Sequence, residues 1–420
     1  MDRVQVVVSG AGAISTLGAG GEEILQALAA GRRGFSPLAS SPFDPVKTGV
    51  HWAGLLAFAP EEHFGEKNYR VIDRTGQLVL IAAGAALADA GLDPAAVGER
   101  EVGLVLGTLF GSVNTIAAFD RRGVEAGPKY VKPLDFANSV INAAAGQAAI
   151  WHDLRGVNST VAGGGSAGIQ ALAQAFDLIR GGRSKVLLAG GAEELSLEAL
   201  FGFGRAGLLA KADAENPPFP EPFGAGSAGA VLSEGAALLL LETVESARQR
   251  GARTLGAIRG HGAAFDPGQF RQEEPAAEAI ARAIRLALED AGWNADEADL
   301  LVVSASGIPR LDRCEALALG QVFGERLATL PFLAPKRGLG ETLGAGGALA
   351  ALVALAALRR GVVPAQAGFG LDPEVTALRP PDRAARLGGR RAILVGLGLD
   401  GAAAALALEG FAETGGEEIA

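Results

Sequence analysis

The stretch Ala85-Ala-Leu-Ala-Asp-Ala-Gly-Leu92 has a near copy in the same chain, Leu286-Ala-Leu-Glu-Asp-Ala-Gly-Trp293. In both stretches Asp-Ala-Gly closes an amphipathic helix, with glycine where a left-handed residue caps the helix end. A run typical of a buried strand follows each copy, residues 102–106 after the first and 300–303 after the second. The separation of about 200 residues predicts two copies of one α/β unit.

The similarity continues further along each half. Gly163-Gly-Gly-Ser-Ala-Gly168 opens an apolar helix that runs to Arg180, and a glycine-rich stretch, residues 338–347, opens another that ends near Arg360. Apolar strands alternating with helices indicate sheets that are covered on both faces. We place the boundary near residue 252, which gives an N-terminal half of 1–251 and a C-terminal half of 252–420. The strands after the two helices are predicted at 186–189 and 392–395.

The composition limits the classes of function. The chain has 420 residues, 49% of them apolar and 20% charged, which is the balance of a soluble globular protein. A net charge of −10 leaves no basic surface for nucleic acid, and one cysteine excludes a disulfide framework and a cysteine-rich metal site. We predict no metal, no cofactor and a cytoplasmic location. The uncharged stretch 342–358 is predicted to be a buried core helix rather than a membrane span.

Ordered motifs along nearly the whole chain, from about residue 3 to residue 410, resemble those of β-ketoacyl-acyl carrier protein synthases. The motifs are Val6-Val-Val-Ser-Gly-Ala-Gly-Ala-Ile-Ser15, Ile141-Asn-Ala-Ala-Ala-Gly146, Leu188-Ala-Gly-Gly-Ala-Glu193, Gly226-Ser-Ala-Gly-Ala-Val-Leu-Ser-Glu-Gly235, Gly344-Ala-Gly-Gly347 and Gly396-Leu-Gly-Leu-Asp-Gly401. This resemblance implies the thiolase fold: two duplicated βαβαβαββ halves in a five-layered αβαβα sandwich, usually as a dimer.

The resemblance also implies a reaction, the decarboxylative condensation of an acyl chain with a malonyl unit. A cysteine carries the acyl chain, and two histidines assist decarboxylation and stabilise the oxyanion. The family positions of these three side chains fall on Gly165, Ser306 and Glu341 of this chain, whereas the family's lysine is kept as Lys336. Glycine offers no nucleophile, and an ionised Glu341 would oppose the negative charge that the reaction builds. We therefore predict that condensation by the family mechanism is lost.

The preferred hypothesis is a catalytically silent subunit similar to the chain length factors of type II polyketide systems. It would pair with an active ketosynthase, or with itself, serve an acyl carrier protein and shape the acyl tunnel. Chain length factors usually carry glutamine where this chain has Gly165, which leaves the subgroup open. The resemblance places Phe110, Phe203 and Leu399 around the acyl pocket, and it places Asp135 where a residue reaches the partner's tunnel.

Two alternatives use the same residues differently. Gly164-Gly-Ser-Ala-Gly168 matches the G-x-S-x-G elbow of α/β-hydrolases, so Ser166 is a candidate nucleophile, although none of the four histidines is expected beside it. Glu341 at a helix N-terminus is a candidate base for acyl transfer or hydrolysis. The third hypothesis is a homodimeric protein that binds acyl chains or acyl carrier protein without chemistry.

Several residues have structural interpretations. Cys314 is expected to be an ordinary buried residue. Lys336, Asp312 and Glu315 could form a catalytic set, but a structural ion pair of the lysine with the two carboxylates is the favoured interpretation. Glu234 is expected to anchor the long loop 211–229 to a glycine-rich turn. The glycines of Gly10-Ala-Gly12 indicate tight strand–helix packing rather than a dinucleotide site. A second loop is predicted at 266–275 and a frayed end at 413–420.

Overall fold

The computed structural model describes residues 4–38, 43, 45–65, 69–94, 102–211, 220–268, 277–365, 370–372, 375–379 and 383–412. The strands are β1 (Val6–Ser15), β2 (Ser36–Pro37), β3 (Trp52–Ala53), β4 (Val102–Thr108), β5 (Asn158–Ala162), β6 (Val186–Glu193), β7 (Gly235–Thr243), β8 (Gly256–Phe265), β9 (Leu300–Val302), β10 (Phe332–Leu333), β11 (Val362–Val363), β12 (Ala385–Arg386), β13 (Arg391–Leu397) and β14 (Ala402–Gly410).

The α-helices are α1 (Gly21–Ala29), α2 (Pro45–Thr48), α3 (Pro60–Phe64), α4 (Arg74–Asp89), α5 (Val113–Glu125), α6 (Pro133–Phe136), α7 (Ala143–His152), α8 (Ala167–Arg180), α9 (Leu197–Arg205), α10 (Val244–Gln249), α11 (Glu278–Ala291), α12 (Pro309–Phe323), α13 (Lys336–Leu339) and α14 (Gly346–Arg360). Gly91 and Gly292 follow α4 and α11 with φ of 58° and 70°, as the repeated Asp-Ala-Gly predicts. The predicted frayed end 413–420, residues 212–219 of the loop 211–229 and residues 269–275 of the loop 266–275 lie outside the described residues.

The principal sheet has ten strands in the order β10-β9-β13-β14-β8-β1-β7-β6-β4-β5. In the first half β4 runs parallel to β5 and β6, and β7 is antiparallel to β6 and β1. The second half repeats this pattern, with β9 parallel to β10 and β13, and β14 antiparallel to β13 and β8. A short antiparallel pairing of β1 with β8 joins the two halves. The same strand pattern on both sides agrees with the predicted duplication.

Helices form three layers around the two half-sheets. α8 and α14 lie between them, where α8 contacts β4, β6 and β14 and α14 contacts β13, β14 and β7. α4 and α7 cover the outer face of the first half-sheet, and α11, with α12 packed on it, covers the second. This is the predicted αβαβα sandwich. The stretch 343–360 is long and apolar enough to span a membrane, but 89% of it is buried in the protein, so the predicted core helix is confirmed.

Glycines let the layers approach closely. A Cβ at Gly10 would lie 2.6 Å from the carbonyl oxygen of Ala86, and one at Gly12 would lie 2.3 Å from that of Ala82, both in α4. The tight packing predicted for Gly10-Ala-Gly12 is therefore confirmed. Strand β6 continues through Gly190 and Gly191, beyond the predicted end at residue 189, because glycine alone fits so close to β7 and to Gly344. Its last residue, Glu193, thereby reaches segments that form the wall of the cavity described next.

Candidate functional site

A cavity of about 330 Å³ lies where strands of both half-sheets and the N-terminal turns before α8 and α14 meet. Gly165, Ser306 and Glu341, which are far apart in sequence, all line it. So do the three predicted pocket residues Phe110, Phe203 and Leu399; Asp135 does not. Apolar side chains form most of its wall, and the described lining residues are Leu109, Phe110, Ala162, Gly164, Gly165, Phe203, Ser304, Ala305, Ser306, Ile308, Leu311, Lys336, Glu341, Leu343, Leu397, Leu399 and Asp400.

Gly165 lies in the single helical turn between β5 and α8, at the N-terminal end of that helix. A Cβ built on Gly165 would lie 2.6 Å from the carbonyl oxygen of Leu397. Real Cβ atoms do not approach a backbone oxygen so closely, so a side chain here requires the end of β13 to move. The chain is thus packed around a glycine at the position to which the sequence resemblance assigns the nucleophile.

Glu341 forms a buried ion pair with Lys336. The Lys336 Nζ donates to Glu341 Oε2 at 2.8 Å and to Ser304 Oγ at 3.2 Å, while the backbone N–H of Leu343 donates to Glu341 Oε1 at 2.9 Å. Lys336 and Glu341 are only 8% and 7% exposed. Both carboxylate oxygens of Glu341 therefore already have donors, and general-base chemistry would first have to break this pair.

The predicted ion pair of Lys336 with Asp312 and Glu315 is wrong, because backbone N–H groups hold these two buried carboxyls instead. Asp312 accepts from Ser306, Gly307 and Phe223, and Glu315 accepts from Ser304 at 2.7 Å. Burial raises the pKa of Asp312 to about 7 and the pKa of Glu315 to about 8. Asp312 and Glu315 together hold in place the turn that carries Ser306 along the cavity wall.

Glu193, at the end of β6, joins two further parts of the wall. Its carboxylate accepts from the backbone N–H groups of Leu109 at 2.7 Å, Phe110 at 2.9 Å and Gly344 at 3.1 Å, and from the Thr108 hydroxyl at 3.2 Å. Burial raises the pKa of Glu193 to about 7. Sequence reasoning quoted this glutamate within a motif but gave it no role, since its partners lie in two distant segments.

Glu234 is predicted to anchor the loop 211–229, but residues 212–219 of that loop lie outside the described residues, and the described partners of Glu234 lie elsewhere. Its carboxylate accepts from Arg74 Nε at 2.8 Å and from the backbone N–H groups of Leu56 and Leu195 at 2.7 and 3.1 Å. A carboxylate with no exposed surface needs a cation, and Arg74 of α4 supplies it. Glu234 therefore ties the N-terminal half together outside the cavity.

Ser166 has no exposed surface, and it is absent from the described cavity wall. Its hydroxyl donates to the Gly163 carbonyl at 3.0 Å and accepts from Gln170 at 2.8 Å. Among the described residues that line this cavity there is no histidine. His152, for example, bonds the Leu80 carbonyl, and His261 bonds Asp177. Cys314 is buried inside α12, as predicted. Ser166 of the G-x-S-x-G match therefore does not reach the cavity, and its described partners include no base.

The raised pKa values of Asp312 and Glu315 give a testable pH dependence. Between their ordinary values and about 7 to 8, these groups hold more protons in the folded protein than in the unfolded chain. Their contribution to stability is therefore full at low pH and is lost as the pH rises through the folded values. We expect urea unfolding to give a lower free energy of unfolding at about pH 8.5 than at about pH 5.5.

The control for this pH dependence is Glu315→Gln, which keeps an oxygen acceptor for the Ser304 N–H but no longer titrates. It should reduce the loss of stability between the two pH values. An unchanged pH dependence in this variant would show that Glu315 is not the titrating group.

Comparison with known proteins places this geometry in a family. Residues 3–247 match the family model of the β-ketoacyl synthase N-terminal domain, and residues 255–370 match that of the C-terminal domain. The ketoacyl synthase beta subunit of the tetracenomycin polyketide synthase of Streptomyces glaucescens is 36% identical over 374 residues, which cover 87% of this chain and 88% of that relative.

Solved structures give the same result. The ishigamide ketosynthase/chain length factor superposes with a TM-score of 0.87 and 30% identity over 97% of this chain and 100% of that one. A β-ketoacyl synthase from Burkholderia phymatum has a TM-score of 0.87 and 28% identity, with the same coverage. The cavity, the duplicated fold and these similarities agree, and the chain belongs to the β-ketoacyl synthase family.

Proposed function

We propose that this chain is a catalytically silent, chain-length-factor-like subunit that pairs with an active ketosynthase in type II polyketide or fatty-acid-like biosynthesis. The observation that carries the proposal is the cavity itself, where Gly165, Ser306 and Glu341 occupy the positions assigned to cysteine, histidine and histidine. The resemblance to a ketoacyl synthase beta subunit and to a ketosynthase/chain length factor structure supports it. In this role the chain meets acyl carrier protein in the cytoplasm as part of the pair.

The chemistry of the cavity supports silence. Gly165 has no side chain to form a thioester, and Ser306 offers one neutral hydroxyl in place of an imidazole. Glu341 brings negative charge, held by Lys336, to the region where the condensation would build negative charge on an enolate. Hydrolysis or acyl transfer through Ser166 or Glu341 is the alternative, but Ser166 is buried away from the cavity and Glu341 is paired.

The surface of the N-terminal half supports pairing. Strand β5 lies at one end of the principal sheet with β4 as its neighbour in the described chain, so its other edge is open for a further strand. Large apolar side chains are exposed on the segment between α5 and α7. They include Tyr130 (66%), Leu134 (71%), Phe136 (63%), Val140 (48%) and Ile141 (41%).

We call this set of residues the 130–141 patch, and Asp135 lies within it. An exposed apolar patch and an open sheet edge are each typical of a surface that a partner chain covers.

Co-expression with the cysteine-containing ketosynthase encoded nearest to this chain tests the proposal. We expect a stable complex with one copy of each chain. Phe136→Asp should weaken this complex by at least about tenfold, because it puts a charge into an apolar contact. Leu317→Asp is the matched control: Leu317 is also an exposed apolar side chain, but it lies on α12 in the other half. An isolated homodimer that takes up labelled acyl groups covalently would contradict the proposal.

A further inference from the structure

Helix α5 is unusual among the long helices because it contributes no fully buried side chain to its own chain's core. It has 13 residues, and none of its side chains is buried. Its principal contacts are with α6, α9 and the helical turn Pro128–Tyr130, and Val124 near its end is 87% exposed. Packing of an apolar face normally supplies most of a helix's stability. Helix α5 therefore needs another source of order.

That source is an anchor at its first turn. The backbone N–H of Asn114 donates to Glu194 Oε1 at 3.0 Å, and the Asn114 side-chain amide donates to the Leu195 carbonyl at 2.9 Å. The helix's own N-cap residue, Ser112, makes no side-chain capping bond. Glu194, which follows β6, thus supplies from another element the acceptor that a capping residue supplies locally.

A buried acid at position 194 is unfavourable for the stability of the fold, which argues that it is kept for function. Glu194 is only 3% exposed, and it lies near the carboxyls of Asp73 at the start of α4 and of Glu234, together with the Arg74 guanidinium that pairs with Glu234. Burial and the neighbouring Asp73 raise the pKa of Glu194 to about 8. A buried acid near two others costs stability, and such a cost is typical of a group kept for function.

We propose that Glu194 is a positioning residue: it holds α5 in the orientation in which that helix and the 130–141 patch receive the partner chain. The inference rests on the proposed function, because α5 and the patch are taken as the pairing surface. α5 packs against α6, which carries Leu134 and Phe136 of the patch, and the Phe119 and Phe136 rings lie 6.2 Å apart. An unanchored α5 would therefore disorder the patch as well.

The neighbouring residue strengthens the assignment. Glu193 fixes the cavity wall through Leu109, Phe110 and Gly344, whereas Glu194 fixes α5 through Asn114. Two consecutive carboxylates at the end of one buried strand therefore position the cavity and the pairing surface. Glu193 has a role in the chain's own cavity, and Glu194 has none there.

Hydrogen–deuterium exchange on the isolated chain tests the anchor without a partner. Glu194→Ala should speed exchange of the α5 amides by about tenfold or more, while α8 amides stay protected. Glu194→Gln keeps an oxygen acceptor and should restore protection of α5. Unchanged α5 exchange in the alanine variant, or equal loss in both variants, would overturn the proposal. If Glu194→Ala does not fold, Glu194→Asp shortens the side chain by one methylene, which takes the carboxyl away from the Asn114 N–H, and it should also speed α5 exchange; unchanged exchange would again overturn the proposal.

Binding to the co-expressed ketosynthase gives the second readout. Glu194→Ala should weaken the complex by about tenfold, and Glu194→Gln should bind like the unaltered chain. A general loss of stability would not be rescued by glutamine and would not be confined to α5. Fast α5 exchange in the alanine variant together with full binding would overturn the positioning role. Failure of the unaltered chain to bind any ketosynthase would overturn the proposed function instead, and with it the purpose of the anchor.

Discussion

Replacing Gly165 by alanine is expected to lower the free energy of unfolding by about 3 kcal/mol. The added Cβ would lie 2.6 Å from the Leu397 carbonyl oxygen, which belongs to a buried strand and cannot move without disturbing β13. Urea unfolding measures the change. Gly165→Cys should be destabilised similarly and should not form an acyl thioester, because the nucleophile's place is no longer shaped for a side chain.

The matched control is Gly320→Ala in α12. A Cβ there meets nothing within 4 Å, so alanine should stabilise the helix by up to about 1 kcal/mol. A Gly165→Ala variant as stable as the unaltered chain, or a Gly165→Cys variant that became acylated, would contradict this account. Either result would show that the cavity still has room for a side chain at residue 165.

Removing one partner of the cavity's ion pair is expected to have an equally large effect. Lys336→Met leaves the Glu341 carboxylate buried without its cation and should lower the free energy of unfolding by about 3 to 5 kcal/mol. The double variant Lys336→Met/Glu341→Leu removes both charges and should recover most of that loss, since an apolar pair of similar volume avoids the desolvation penalty. Unfolding of the two single variants and the double variant completes the cycle.

A small effect of Lys336→Met would contradict this interpretation of the pair. It would show that the Glu341 carboxylate reaches water in the folded chain. The carboxyl would then be free for general-base chemistry, which is the basis of the enzymatic alternative.

The sequence was sufficient for the duplicated fold and for the residues that meet in the cavity. Two similar helix–strand stretches indicated the repeat, because a capped helix, a buried strand and a glycine turn are each encoded by neighbouring residues. The meeting of Gly165, Ser306 and Glu341 was implied by the resemblance to β-ketoacyl synthases and not by any local pattern.

The sequence was not sufficient for the polar connections. Lys336 pairs with Glu341, not with Asp312 or Glu315, and Glu234 pairs with Arg74, which no local pattern indicated. A buried carboxylate takes whichever donors the fold brings within about 3 Å, and these are mostly backbone N–H groups that every sequence contains. The roles of Glu193 and Glu194 were missed for the same reason.

The most direct test of the central claim is a condensation assay with malonyl- and acyl-acyl carrier protein on three samples: the isolated chain, the isolated partner ketosynthase and their complex. We expect no condensation product from the isolated chain. We expect product from the complex, and its loss when the partner's cysteine, but no residue of this chain, is replaced. Condensation by the isolated chain at the rate of a ketosynthase would contradict the account.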